Sequence, residues 1–281
     1  MAGFQPMSLA HKAAQAATVS FQVLTTDGKW ERCAGAVISN EGHILTANHC
    51  LDQCNDGKIR GPRRDRPEQC IAKIDGRATL VDVKVTSRCS FQEHLAANQM
   101  NSLQKCTRFN DVAIVLPRTK FRNRACLPMA RNFKEGEAVY SIGHPMRSKR
   151  GKNDSDGRRL YASFGEIISN QGQCLIVQNG NPSEKEKGLN QPGALVSMDG
   201  LYPGLIAGVI QTTVDLLPGN SGGPLINEQG QVIAVASFIE GSKNNTWLEC
   251  RGATFFSPIA GVNPTVSKIA EDFEIANLRC K

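Results

Sequence analysis

Short apolar runs, each closed by turn residues, set the rhythm of this chain and limit what it can fold into. Thr18 to Thr25 (TVSFQVLT) ends at Asp27-Gly28, and Ala34 to Ser39 is joined to His43 to Ala47 by Asn40-Glu41-Gly42. Asp111 to Leu116 (DVAIVL) reads as another buried strand, and Pro117 to Lys134 as a polar connector. Beyond it come Ala138 to Ile142, Leu160 to Ile168, Cys174 to Gln178, Leu205 to Gln211, Pro224 to Ile226 and Val232 to Phe238. Runs of this length bounded by Gly, Pro, Asn and Asp are strands, and their spacing favours barrels or sandwiches over βαβ units. The 26 glycines and 13 prolines are spread along these runs. The period changes at the C-terminus. There Asn263 can cap a helix with Pro264 at its first position, placing Val266, Ile269, Ala270 and Phe273 on one face. The expected plan is an extension over 1–17, a first barrel over 18–133, a second over 134–262 and a helix over 263–281.

Composition excludes several classes. Hydrophobic residues at 40% and charged residues at 21% give a globular balance, not a disordered one. No apolar run approaches the length that spans a bilayer, so no membrane partner is expected. The net charge of +7 gathers in Arg60 to Arg66 (RGPRRDR) and Arg147 to Arg159 (RSKRGKNDSDGRR). No aromatic residues interleave there to stack bases, so both read as solvated loops and no nucleic acid is expected. Ten cysteines occur without a Cys-x-x-Cys pair or a zinc-finger histidine spacing. That pattern implies disulfides and an oxidising compartment, secreted or periplasmic, with neither metal nor cofactor. The first twenty residues lack the apolar core of a signal peptide, so a leader is expected to have been removed.

The segment Pro218-Gly219-Asn220-Ser221-Gly222-Gly223-Pro224-Leu225 sets a serine between glycines. A nucleophile elbow of an α/β-hydrolase has the same look, but it needs its histidine after the serine. The 60 residues that follow Ser221 contain none; His11, His43, His49, His94 and His144 all precede it. Histidine first, aspartate between and serine last is the order of chymotrypsin-type proteases. Thr46-Ala47-Asn48-His49-Cys50 resembles the histidine motif of that family, Asn110 to Val115 its aspartate strand, and Gly219 to Pro224 its serine motif. The resemblance runs from about Thr18 to Val262 and implies an all-β fold of two six-stranded antiparallel β-barrels, with the C-terminal α-helix after them.

The same resemblance implies roles. A serine hydroxyl is a weak nucleophile at neutral pH, so Ser221 needs a base. His49 would take its proton and return it to the leaving amine, with Asp111 fixing the tautomer of the ring. Gly219 and Ser221 would turn their amides toward the oxyanion. Ser237-Phe238-Ile239 resembles the strand that pairs with an extended substrate, with Ser237 against Asp111. Cys33 and Cys50 would form the histidine-loop disulfide. Of the other cysteines, Cys54, Cys70, Cys89 and Cys106 fall in one insertion and are expected to pair among themselves. A Cys126–Cys280 bridge would tie the terminal helix to the connector.

Departures from trypsin narrow the branch. Asn220 stands where zymogens carry an aspartate for a new N-terminus, and no Ile-Val-Gly-Gly start is visible, so activation by cutting is not expected. Gly-Asn-Ser-Gly is similar to the HtrA-type and glutamyl-endopeptidase motif. Ile210-Gln211-Thr212 and Ser141-Ile142-Gly143-His144-Pro145 resemble HtrA-type runs. Only a helix's length follows Val262, so a monomer without a PDZ domain is expected. Asp215, six residues before Ser221, stands where trypsin-like enzymes place the acid that binds Lys or Arg. The rival is an aliphatic pocket narrowed by Leu216 and Ile239. The chain reads as a serine endopeptidase acting on proteins or peptides. The alternatives are a protease-fold binding protein with latent or lost activity, and a serine esterase.

Overall fold

The computed structural model describes residues 9–51, 54, 69–86, 111–120, 125–130, 133–145, 160–178, 204–238, 241–243, 246–249, 254–258 and 280. Six strands form a closed antiparallel barrel: β1 (Thr18–Leu24), β2 (Trp30–Val37), β3 (Ile44–Thr46), β4 (Gln69–Ile74), β5 (Arg77–Thr86) and β6 (Ala113–Pro117). They pair in the order β1-β2-β3-β6-β5-β4. Val19, Phe21 and Val23 of β1 point inward with Ala72, Ile74, Val81 and Val115, as the alternation of a barrel strand requires. The β4–β5 hairpin turns through Asp75-Gly76, both at positive φ (48° and 82°), the conformation whose twist matches the strands. Asp75 also fastens that turn to β1. Its amide donates to the Ser20 carbonyl, and its Oδ1 accepts from the Ser20 amide, both at 2.9 Å.

The second half is one curled sheet. Its strands are β7 (Ala138–Gly143), β8 (Tyr161–Gln178), β9 (Gly204–Thr212), β10 (Pro224–Asn227), β11 (Val232–Phe238), β12 (Gly241–Lys243), β13 (Thr246–Glu249) and β14 (Thr254–Pro258). Pairing runs from β8 through β7, β10, β11, β14 and β9, and β9 returns to β8. The six strands that return on themselves are thus part of an eight-stranded sheet, two strands more than expected. The extra strands, β12 and β13, are a hairpin on the far end of β8, where Leu175–Gln178 pairs with Thr246–Glu249. The physical reason is length. β8 has 18 residues but pairs with β7 only over 161–166, which leaves an edge that the hairpin covers. Its polar middle, Ser169 to Gln173, reads as a turn in the sequence but is absorbed by register shifts, so one strand stands where two were expected.

Helix placement also differs. The one α-helix among the described residues is α1 (Leu9–Ala17), inside the stretch expected to be an extension. Ala14 and Ala17 are fully buried in a core that joins both sheets, with Ala36, Ile38, Leu45, Tyr140, Ile142, Ile226 and Val235. Thr18 Oγ1 closes its last turn by donating to the Ala14 carbonyl at 2.8 Å. The expected C-terminal helix lies outside the described residues, apart from Cys280. Cys280 is bridged to Cys126, as the sequence suggested. Cys54 is bridged to Cys70, while Cys89 and Cys106 lie outside the described residues.

Candidate active site

His49 sits on a 3₁₀ turn, η1 (Asn48–Leu51), directly after β3. Asp111 precedes β6, the partner of β3, so Thr46↔Ala113 pairing brings the two side chains together. Asp111 is fully buried, and both its oxygens engage His49. Oδ2 lies 2.6 Å from the ring Nδ1, and Oδ1 accepts from the His49 backbone amide at 2.8 Å. A carboxylate held out of water against one ring nitrogen fixes the orientation of the ring. The Cys33–Cys50 disulfide joins β2 to η1 immediately beside His49.

Ser221 comes from the other sheet, on the turn before β10. Two hydrogen bonds hold this turn to β11: the Gly222 amide donates to the Ala236 carbonyl at 2.7 Å, and the Ala236 amide to the Gly223 carbonyl at 2.8 Å. A third crosses to the first barrel, where the Ala34 amide donates to the Ser221 carbonyl at 2.7 Å. Cys50 Sγ lies 3.9 Å from that carbonyl and 3.9 Å from His49 Nε2. The Ser221 carbonyl and His49 Nε2 therefore border the same sulfur.

Two glycines make the approach possible. A Cβ on Gly222 would lie 2.2 Å from Thr46 Oγ1 and 2.4 Å from the Ala34 carbonyl oxygen, and its φ is +80°. A Cβ on Gly223 would come within 2.9 Å of the Ile142 and Asn220 carbonyl oxygens. Asn220 is buried against Gly143, and its Oδ1 has no hydrogen-bond partner among the described residues. Sequence reasoning placed Asn220 beside the nucleophile but missed this contact. The only hint was the glycine of Ser-Ile-Gly-His-Pro.

The remaining expected residues divide. Gly219 has φ +97° in the turn leading to Ser221. Ser237 is buried on β11 next to Ala236. Phe238 ends that strand and pairs with Phe255, its side chain lying outside the description, as does Ile239 entirely. Asp215 is half-buried: its Oδ2 accepts from Tyr161 Oη at 3.3 Å, and its amide donates to Ser163 Oγ at 2.9 Å. Tyr161, at the start of β8, had no signal in the sequence. Leu216 packs into the core of the second sheet with Val214, Ile233 and Ala236. Cys33, Cys50 and His49 offer ligand atoms within 4.8 Å of one another, but both sulfurs are tied in the disulfide and no thiolate stands there to bind a metal.

Residues 33–235 match the family model described as a trypsin-like peptidase domain. A probable periplasmic serine endoprotease DegP-like of Pseudomonas fulva (strain 12-X) is 25% identical over 206 residues, 73% of this chain and 29% of the relative. A protein of the same description from Pseudomonas savastanoi pv. phaseolicola is 24% identical over the same shares. The chain thus spans under a third of the length of these curated relatives. Among solved structures, the HtrA-type protease AlgW with tripeptide has a TM-score of 0.52 at 19% identity, covering 94% of this chain and 62% of that one. The Rv3671c protease, inactive form, has a TM-score of 0.50 at 17% identity, covering 94% and 92%. At such identities the structural likeness is one of fold.

Proposed function

The chain belongs to the trypsin-like peptidase domain family, with HtrA-type relatives, and on that premise we propose that it is a serine endopeptidase working through Ser221, His49 and Asp111. One observation carries the proposal. The His49–Asp111 pair of the first barrel and the Ser221 turn of the second sheet meet at a single seam, across the Ala34-to-Ser221 hydrogen bond.

The chemistry follows from that arrangement. Ser221 Oγ attacks the peptide carbonyl while His49 Nε2 takes its proton, and the imidazolium is stabilised by the buried Asp111 carboxylate. Nε2 then returns the proton to the departing amine, leaving an acyl ester on Ser221. Water, deprotonated by the same nitrogen, completes hydrolysis. Among the described residues neither the Gly219 nor the Ser221 amide donates to a protein acceptor, which suits both to the developing oxyanion. Ser237-Phe238-Ile239 is the strand we assign to the main chain of the substrate.

For substrate class we favour cleavage after Lys or Arg, with Asp215 as the acid that pairs with the side chain. Its half-burial, its anchoring by Tyr161 and Ser163 and its place six residues before Ser221 support that role. The three disulfides among the described residues, together with relatives described as periplasmic, favour an extracytoplasmic setting. Fluorophosphonate labelling tests the nucleophile: Ser221 should be modified in the native protein and not in Ser221→Ala. Equal labelling of both would sink the assignment. A peptide library then reads specificity, and cleavage without Lys or Arg enriched before the cut would remove Asp215 from the pocket.

A further inference from the structure

The Cys33–Cys50 disulfide does more than brace the histidine turn, because it brings two sulfurs up to the His49 ring. We propose that, once this disulfide is reduced, Cys33, Cys50 and His49 form a binding site for a soft divalent cation of the Zn²⁺ class, and that the bound ion silences the enzyme until the disulfide closes. The cation uptake stands on geometry alone. The silencing rests on His49 being the base.

The ligand set is suitable in kind and in place. Two thiolates and an imidazole, with one position left to water, are a familiar zinc donor set. The three ligand atoms already lie within 4.8 Å of one another. A tetrahedral ion with Zn–S near 2.3 Å and Zn–N near 2.0 Å needs sulfur and nitrogen about 3.5 Å apart and its two sulfurs about 3.8 Å apart. Cys50 Sγ and His49 Nε2 stand at 3.9 Å. Once the bond is reduced the two sulfurs must separate to a non-bonded contact, roughly 3.5–4 Å. That is the spacing the ion requires.

The surroundings favour it too. A ligating histidine usually donates its other ring N–H to a carboxylate, which sets the tautomer and raises the basicity of the ligating nitrogen. Asp111 Oδ2, 2.6 Å from Nδ1, meets that condition. Cys33 and Cys50 are buried, whereas the His49 side chain is 24% exposed, so the ion enters and takes its water from the histidine side.

The redox step balances. A dithiol reductant gives two electrons and two protons to the S–S bond, yielding two thiols and its own disulfide. The cation then displaces both thiol protons. A disulfide oxidant reverses the sequence and expels the ion. In the bound state the Nε2 lone pair is coordinated, so it cannot take the Ser221 proton. A newly made chain in a reducing, zinc-containing compartment would be held inactive and released by oxidation.

The test uses the full chain, reduced with a dithiol, freed of reductant without air and titrated with Co²⁺ as a coloured stand-in for Zn²⁺. One equivalent should give thiolate-to-cobalt absorption that Zn²⁺ abolishes, whereas the oxidised protein should give none. Cys33→Ser and His49→Ala should each weaken uptake about tenfold or more, and the Cys54→Ser/Cys70→Ser double variant should retain it. One equivalent of Zn²⁺ should cut peptidase activity of the reduced protein at least about tenfold, with recovery on chelation. Absence of cobalt uptake, whether or not the near-UV dichroism of the fold survives reduction, overturns the proposal. So does uptake unchanged in Cys33→Ser. Cobalt uptake by a protein whose oxidised form cleaves no peptide would leave the site standing and refute the endopeptidase reading instead.

Discussion

Replacing Gly222 by alanine should damage both activity and stability, and its magnitude can be worked from two separate sources. The first is backbone conformation: φ is +80°, and an L-residue held in the left-handed region costs about 1–2 kcal/mol. The second is space. The new methyl would lie 2.2 Å from Thr46 Oγ1, 2.4 Å from the Ala34 carbonyl oxygen and 2.8 Å from the Ala47 amide nitrogen. Two of these three atoms are backbone, so the serine turn must retreat by about 1 Å to reach ordinary contact, as overpacked cores do at about 1–3 kcal/mol. Together the loss is about 2–5 kcal/mol. The same retreat carries Ser221 away from His49, and a displacement of that size costs on the order of 100-fold in rate. Gly28 provides the control, because it has the same φ of +80° with nothing within 4 Å. Gly28→Ala should lose only the conformational share and keep full activity. Urea melts with kcat/KM on a peptide substrate measure both. If Gly222→Ala matched Gly28→Ala in stability and turned over like wild type, the close approach of the two sheets would not matter to the site.

Further outcomes can be checked alongside. Asp111→Asn should keep the fold but lower kcat by about 10⁴, since the ring would be held in the wrong tautomer; a loss under tenfold in steady-state assays would refute its role. Asp215→Asn should reduce cleavage after Lys and Arg by about ten- to a hundredfold, from about 1.5–3 kcal/mol for a charged hydrogen bond, with little change after aliphatic residues in the same library. His11 and His43 both have pKa values lowered from 6.5 by burial. The unfolded chain therefore binds more protons just below pH 6.5, so stability falls as pH drops through that value and levels off below the folded pKa values. His11→Leu should flatten part of this slope in denaturation series from pH 7.5 to 5, and an unchanged slope would refute the assignment.

The parts legible in the sequence were those written in local chemistry. Asp27-Gly28 and Asn40-Glu41-Gly42 are turns whatever surrounds them, and Thr18 to Leu24 is a strand from its alternation alone. The contact between His49 and Asp111 was expected because the chemistry restricts the residue types and their order. What failed depended on partners far away in the chain. Ser169 to Gln173 looks like a turn until β9 offers it bonds through shifted registers. The helix Leu9–Ala17 carries few large apolar residues to mark a face, so its periodicity was faint, although alanine is the strongest helix former. Neither Tyr161 beside Asp215 nor Gly143 beneath Asn220 could be found from spacing, since each is set by the meeting of separate strands.

The hydrogen bond from Ala34 to Ser221 also bears on the order in which the protein matures. Everything the first barrel contributes to the site leaves the ribosome before Ser221 does, and N-terminal units fold first during synthesis. A histidine–aspartate pair can thus form early with no nucleophile beside it. Only the docking of the two halves forms the Ala34-to-Ser221 bond, and that docking buries the core shared by Ala36, Ile38, Ile142 and Ile226. For the proposed triad, the capacity to cut then arrives with this docking rather than with the first barrel alone.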